Sequence, residues 1–265
     1  MKIIHLSDPH IHTKILHGIN PITRFQAALN HIIKNHLDSD LFVITGDLTH
    51  FGDEESCCKL NEILTKSDLS NKLYPKLMIG NHDNREKIKK IFSNILIDEN
   101  GFIQYLIDIE DKRFIFLDTN LPGTDQGHFC EKRQNWLIKN LENNNKNKKI
   151  YLFMHHNPLP LADENSDQIG LQQREEFKNI IFKHKDLIKH IFFGHQHITA
   201  SGNYLGINFS SPRSTWCPLV PNFSSEYRLG SANTNPNYNV VLIKNDSLIV
   251  HSEDFLKSET NWFTD

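Results

Sequence analysis

The chain reads as an α/β fold in which a sheet carries helices on its faces and polar residues collect where strands end. Three observations predict this. Short apolar runs of strand type alternate with segments whose apolar residues recur at helical spacing. Five of those runs empty directly into Asp, Asn or His, and 265 residues are enough to bury the core of one catalytic domain, 1–265.

Residues 2–6, Lys-Ile-Ile-His-Leu, form the first strand and open into Ser7-Asp8-Pro9-His10. An extended segment lets Asp8 and His10 face one point, and Pro9, with its fixed φ and no N–H, suits a chain leaving a strand. Across 24–37, Phe25, Ala28, Leu29, Ile32, Ile33 and Leu37 predict a helix packed on the sheet; His31 and His36 read as ordinary helix residues. The strand at 41–44 runs into Thr45-Gly46-Asp47, and a helix over 54–66 follows, with Leu60, Ile63 and Leu64 inward and Asp53, Glu54 and Glu55 at its positive end. The strand at 76–79 closes in Gly80-Asn81-His82-Asp83.

Strands at 102–107 and 113–117 are expected to pair through a turn at 110–112, with Asp118-Thr119-Asn120 a capping turn and not a catalytic group. A helix at 131–141 carries Trp136, Leu137 and Leu141; the polar run at 143–149 is a solvated turn, too short and too poor in aromatics to bind nucleic acid. The strand at 150–154 ends in His155-His156-Asn157-Pro158. After a helix at 171–184, the strand at 191–193 ends in Gly194-His195-Gln196-His197. Further strands are expected at 204–210, 239–243 and 248–251, with an irregular loop over 211–237 packed near the site.

Composition narrows the function. Lys plus Arg number 29 against 32 Asp plus Glu, a net charge of −3, so no global field draws the protein to nucleic acid or anionic lipid, and an anionic substrate must be attracted locally. Cys57, Cys58, Cys130 and Cys217 form no C-x-x-C pair, which points to reduced thiols in a cytoplasmic protein. Residues 1–6 are too short for a signal-peptide core, and no apolar run approaches the roughly 20 residues that span a bilayer.

A polar turn after one strand needs only backbone reasons. Five together, offering carboxylates, imidazoles and one amide but no thiolate, suit two borderline divalent ions better than a structural zinc. In this set the chain resembles the calcineurin-like metallophosphoesterases: D-x-H at Asp8 and His10, G-D at Gly46 and Asp47, G-N-H-D at Gly80 to Asp83, the pair His155 and His156, and G-H-x-H at Gly194 to His197, in the family's order across residues 3–197. Arg85, the stretch His155 to Pro160 and the Ser214-Thr215 loop make it most similar to class III cyclic-nucleotide phosphodiesterases and related glycerophosphodiesterases.

The resemblance implies a two-sheet β-sandwich flanked by helices, in place of a single layered sheet, with residues 198–265 adding strands and a site-covering loop. It implies two divalent or mixed-valence ions, among Mn, Fe, Zn and Co. Asp8, His10, Asp47 and His197 would hold one; Asp47 as bridge, Asn81, His156 and His195 the other. His156 is chosen because the family's ligand usually stands two residues before a Pro, here Pro158; His155 is the alternative. Asp47 as a bridge suits two cations roughly 3.5–4 Å apart, and His82, not a ligand, would protonate or stabilise the departing alkoxide.

The expected reaction is hydrolysis of a small-molecule phosphodiester, a 3′,5′-cyclic nucleotide foremost, with glycerophosphodiesters or nucleotide-linked pyrophosphates as alternatives and a phosphomonoester, a nucleic-acid substrate or a non-catalytic metal-binding module behind them. Specificity is expected in the loop 211–228, which holds Arg213, Trp216, Phe223, Tyr227 and Arg228, with Arg213 or Arg85 near the phosphate and Trp216 stacked on a base.

Overall fold

Three phenylalanines from neighbouring strands stack through the middle of the molecule, and the two sheets close on them. The computed structural model describes residues 1–69, 73–144, 148–224, 230–231 and 234–256. In chain order its elements are β1 (Lys2–Leu6), α1 (Pro21–His36), β2 (Leu41–Thr45), α2 (Glu54–Lys66), β3 (Lys76–Met78), α3 (Arg85–Ile91), β4 (Tyr105–Ile109), β5 (Lys112–Phe116), α4 (Glu131–Glu142), β6 (Lys149–Phe153), α5 (Glu164–Ile169), α6 (Arg174–Lys183), β7 (Ile188–Phe192), β8 (Ala200–Tyr204), β9 (Ile207–Ser211), β10 (Asn237–Ile243) and β11 (Leu248–Asp254). One sheet has the order β11-β10-β1-β2-β3 and the other β4-β5-β6-β7-β9-β8. In the first, β1, β2 and β3 are parallel; in the second, β5, β6, β7 and β9 are parallel.

The architecture is the two-sheet sandwich flanked by helices. Its cause is visible in the period-two alternation of the second sheet. Phe114 and Phe116, Phe153 and Phe192 join the core shared with the first sheet, while Ile115 and Leu117, Leu152 and Met154, Ile191 and Phe193 join a second core that also holds Trp136 and Leu137 of α4 and Phe177 and Ile181 of α6. Both faces of β5, β6 and β7 are buried toward their C-terminal ends, so there the sequence reads as unbroken apolar runs, 114–117, 150–154 and 191–193. Phe116 stacks on Phe153 at 5.2 Å and Phe153 on Phe192 at 4.5 Å between ring centroids. His5 lies edge-on to the last two and bonds Thr45 Oγ1 at 2.9 Å; burial keeps its ring neutral, with a pKa lowered to about 3.

Several boundaries differ from the sequence expectation for identifiable reasons. Helix α1 begins at Pro21, three residues early, because the Asn20 side chain accepts from Thr23 N and Pro occupies the first turn. Helix α3 was not expected: it is seven residues long and buries only Ile88, too little for a periodic signal. The strand expected at 204–210 is instead a hairpin, β8 and β9, turning at Leu205 and Gly206 with φ of 58° and 89°. Helix α6 starts at Arg174 and is preceded by the short α5. No described helix is long and apolar enough to cross a membrane.

Phe153→Ala removes the middle ring of the stack and should cost about 3–5 kcal/mol of stability, read as the shift in urea midpoint at unchanged slope. A loss below about 1 kcal/mol would show that the sheets do not rely on this contact.

Candidate metal and catalytic site

The parallel strands of both sheets deliver their C-terminal ends to one place, and there the backbone turns sharply. Asp8, His10, Asp47, His195 and His197 all have positive φ, of 54°, 45°, 47°, 69° and 56°. A non-glycine residue in the left-handed region carries strain, and such residues cluster where function requires a side chain to be aimed. Tertiary bonds hold the turns: His10 N donates to the Asp47 carbonyl at 2.9 Å, His195 N to Asp8 Oδ1 at 3.1 Å, and Ser214 Oγ to the Asp8 carbonyl at 2.8 Å.

Two groups of donors meet across Asp47. On one side Asp8, His10, Asp47 and His197 converge within 4.8 Å; His10 Nε2 lies 3.0 Å from His197 Nε2 and 3.4 Å from Asp47 Oδ2. On the other, His155 Nε2 lies 3.0 Å from Asn81 Oδ1 and 3.3 Å from Asp47 Oδ1. His155, His156 and His195 form a further converging group.

The outer nitrogens of these rings are occupied. His155 Nδ1 bonds the Thr45 carbonyl at 2.7 Å, His197 Nδ1 the Cys217 carbonyl at 2.8 Å, and His195 Nε2 the Ile169 carbonyl at 3.1 Å. Asn81 Nδ2 donates to Asp125 Oδ1 at 3.2 Å, which turns its oxygen toward His155. An imidazole tied on one side with its other nitrogen aimed at a buried carboxylate is the arrangement of a metal ligand, so the donor set fits divalent cations.

Electrostatics agree. Asp47 is buried, which alone would raise its pKa, yet the imidazoles of His155, His82 and His10 hold it well below the carboxylate range. Burial pushes His10, His156 and His195 well below the usual imidazole value, leaving them neutral. His155 goes the other way, to about 9: Asp47 and Asp8 outweigh its burial. Ionised Asp47 and the neutral rings of His10 and His195 are in the protonation states cations require, while His155, held protonated by the carboxylates, would have to release its proton to an incoming ion.

His82 lies beside the first donor group, its ring 4.7 Å from that of His10, with which it and His50 form another converging group. Its main-chain N–H donates to Asp47 Oδ1 at 3.0 Å, its Nδ1 bonds the His50 carbonyl at 2.7 Å, and its Nε2 lies 4.0 Å from Asp47 Oδ2 on a partly exposed ring. Burial lowers its pKa, but Asp47 and the His50 carbonyl reverse that, and the net shift is upward. Asp83 closes the turn around it, accepting from Leu48 N, Thr49 N and Gly80 N at 2.9 Å each.

His156 is turned differently from His155, within the converging group the two form with His195. Its Nδ1 bonds Thr119 Oγ1 at 2.7 Å, its buried Nε2 has no partner, and its ring packs 4.4 Å from that of His195. His155 is the member of the pair that reaches Asn81 and Asp47.

Neither arginine expected at the phosphate lines the cavity. Arg85 forms a two-pronged bond to buried Asp118 at 2.8 and 2.9 Å and also bonds Asn120, tying α3 to the turn after β5. Arg213 bonds Asp254 and the Asn235 carbonyl. Trp216 does line it, 6 % exposed, with its ring 4.9 Å from His10 and 5.1 Å from His50. Phe223 is exposed, and Tyr227 and Arg228 fall outside the described residues. The cavity measures about 430 Å³, and among the described residues no lysine or arginine lines it. Sequence reasoning named Asp83 within G-N-H-D without giving it a role, and overlooked Asp125 and His50, which no motif marks.

A family model described as calcineurin-like phosphoesterase matches residues 1–199. The chain is 28% identical over 260 residues, 97% of its length and 93% of the relative's, to a probable cyclic nucleotide phosphodiesterase of Rhodopseudomonas palustris. It is 32% identical over 202 residues, 74% of its length and 72% of the relative's, to a probable glycerophosphodiester phosphodiesterase of Arcobacter nitrofigilis. In fold it is similar to a dimetal phosphatase from Danio rerio, with a TM-score of 0.71 at 12% identity, covering 97% of this chain and 96% of that one.

Gly80 is crowded by the site: a Cβ there would stand 2.2 Å from Asp47 Oδ1 and 2.5 Å from His155 Nε2. Gly80→Ala should therefore displace both side chains, costing about 1–3 kcal/mol in denaturant unfolding and lowering metal bound per chain in elemental analysis. Unchanged metal content would show that these two side chains do not need their present positions.

Proposed function

The chain belongs to the calcineurin-like phosphoesterase family, and on that premise we propose that it is a cytoplasmic dinuclear-metal phosphodiesterase whose substrate is a small 3′,5′-cyclic nucleotide. The observation that carries the reading is His82, a partly exposed imidazole on the cavity wall beside two donor sets that share Asp47, with Nδ1 held by a carbonyl and Nε2 4.0 Å from Asp47 Oδ2. In this reading Asp8, His10, Asp47 and His197 hold one ion, and Asp47, Asn81, His155 and His195 the other. His155 replaces His156 because only its Nε2 lies against both Asn81 and Asp47.

When bound, such ions supply Lewis-acid activation of water and neutralise charge on the phosphoryl oxygens. The chain's own contribution is separate. Asp47 spans the two donor sets with one oxygen toward each, and its strained backbone keeps that aim. His82, with Nδ1–H committed to the His50 carbonyl, carries its transferable proton on Nε2 and delivers it to the departing oxygen.

Charge at the cavity supports a diester over a monoester. The described lining carries Asp125 and Asp163 and no lysine or arginine, so beyond the two ions that lining offers no permanent cation to match the second charge of a monoester. The near full-length similarity to the Rhodopseudomonas relative supports a cyclic nucleotide. The Arcobacter relative supports a second reading, glycerophosphodiester hydrolysis.

The ligand assignment predicts that His155→Ala loses about one metal equivalent while His156→Ala retains both, measured by elemental analysis after dialysis; the opposite pattern restores His156. For the reaction, manganese-loaded protein should turn over cyclic nucleotides faster than glycerophosphodiesters, nucleotide-sugar pyrophosphates or phosphomonoesters in one panel. His82→Ala should keep its metals and lose about 10²–10⁴-fold in rate on an alkyl diester, with a smaller loss on a p-nitrophenyl diester whose leaving group needs no proton. Equal losses on both would remove His82 from the acid role, and a panel led by monoesters would overturn the diesterase reading.

A further inference from the structure

His10 differs from the other three proposed imidazole ligands in what holds its outer nitrogen. His155, His195 and His197 are each tied to a backbone carbonyl, which no substitution can remove. His10 Nδ1 instead faces the ring nitrogen Nδ1 of His50 at 3.2 Å. With an ion held by His10 Nε2 beside His197 and Asp47, as the proposed site requires, the ring proton of His10 would sit on Nδ1 and His50 Nδ1 would accept it.

The same residue touches the proposed acid twice. Its carbonyl accepts from His82 Nδ1 at 2.7 Å, and its ring stacks on that of His82 with centroids 5.1 Å apart and planes 22° apart. Its own backbone is anchored by the bond from His50 N to the Ile11 carbonyl, and Trp216 covers its ring from the side, at 5.1 Å.

We propose that His50 is a positioning residue for this site, whose ring fixes the tautomer and orientation of His10 while its carbonyl fixes those of His82. The inference rests on the proposed two-ion site. Its physical content is that an outer-shell acceptor keeps the ligating lone pair of His10 pointing at the ion, and loss of such a partner typically costs about 10–100-fold in metal affinity or activity. The ring and the carbonyl act on different partners, so side-chain substitution separates them.

Three proteins test this: wild type, H50F and H50N. Phenylalanine keeps a ring to stack on His82 but has no acceptor; asparagine loses the ring yet can place Oδ1 near the position of Nδ1. Metal-free protein of each is titrated with manganese calorimetrically, and diester hydrolysis is then followed. H50F should weaken one of the two metal equivalents about 10–100-fold, and H50N should restore most of that. The ratio of alkyl to p-nitrophenyl diester rates should stay near wild type in H50F, because the carbonyl on His82 remains.

If the ring is merely filler, H50F binds metal like wild type and H50N is the weaker, which overturns the proposal; equal affinity in all three overturns it too. Should H50F fail to fold by circular dichroism, H50A, which also lacks the acceptor, takes its place in the comparison with H50N. A wild type that binds two metals and cleaves no diester would defeat the proposed function while leaving the affinity comparison intact.

Discussion

Everything at the site depends on one buried carboxylate being held ionised where two sheets meet. Asp47 sits at the end of β2 with left-handed backbone, one oxygen facing His10 and the other facing His155 and accepting the His82 N–H. Taking an ion out of water is costly unless it is paired and hydrogen-bonded. Three strand ends therefore have to arrive together for Asp47 to remain charged, and Gly80 must lack a side chain for them to fit.

The surrounding fold can be understood as the means of enforcing that meeting. Parallel strands point their C-termini one way, so both sheets present their loops at the same end of the sandwich. The phenylalanine stack fixes the spacing between the sheets, and Asp83, Asn120 and Arg85 brace the loops from behind. Asn120 Nδ2 reaches the Gly80 and Asp83 carbonyls, so the turn after β5 in one sheet supports the turn after β3 in the other.

What was legible in the sequence were features that single residues decide. Helix α2 is marked by its Asp53 cap and apolar spacing, and the donor types after β1, β2, β3, β6 and β7 are plain in the sequence. What needed the family resemblance or the structure were features that depend on distant partners. A strand buried on both faces looks the same in a layered sheet and in a sandwich. Arg85 and Arg213 are committed to Asp118 and Asp254, 33 and 41 residues away, and nothing local announces either pair. The choice within His155 and His156 turns on which of two adjacent side chains faces Asn81, since neighbours on an extended chain point to opposite sides. His50 follows no motif at all; its contacts exist only because the loops after β1, β2 and β3 cross there.

The placement of the donors has a mechanical consequence. Asp8, His10, Asp47 and Asn81 follow strands of the first sheet; His155, His195 and His197 follow strands of the second. Cations held by this set would rivet the two halves of the sandwich together at its mouth, joining side chains 187 positions apart in the chain, such as His10 and His197. Binding that occurs only in the folded state stabilises it by mass action. The end of the sandwich that performs chemistry would then also be the end most protected from opening, and chelation would loosen the sheets from the mouth inward while the phenylalanine stack still held.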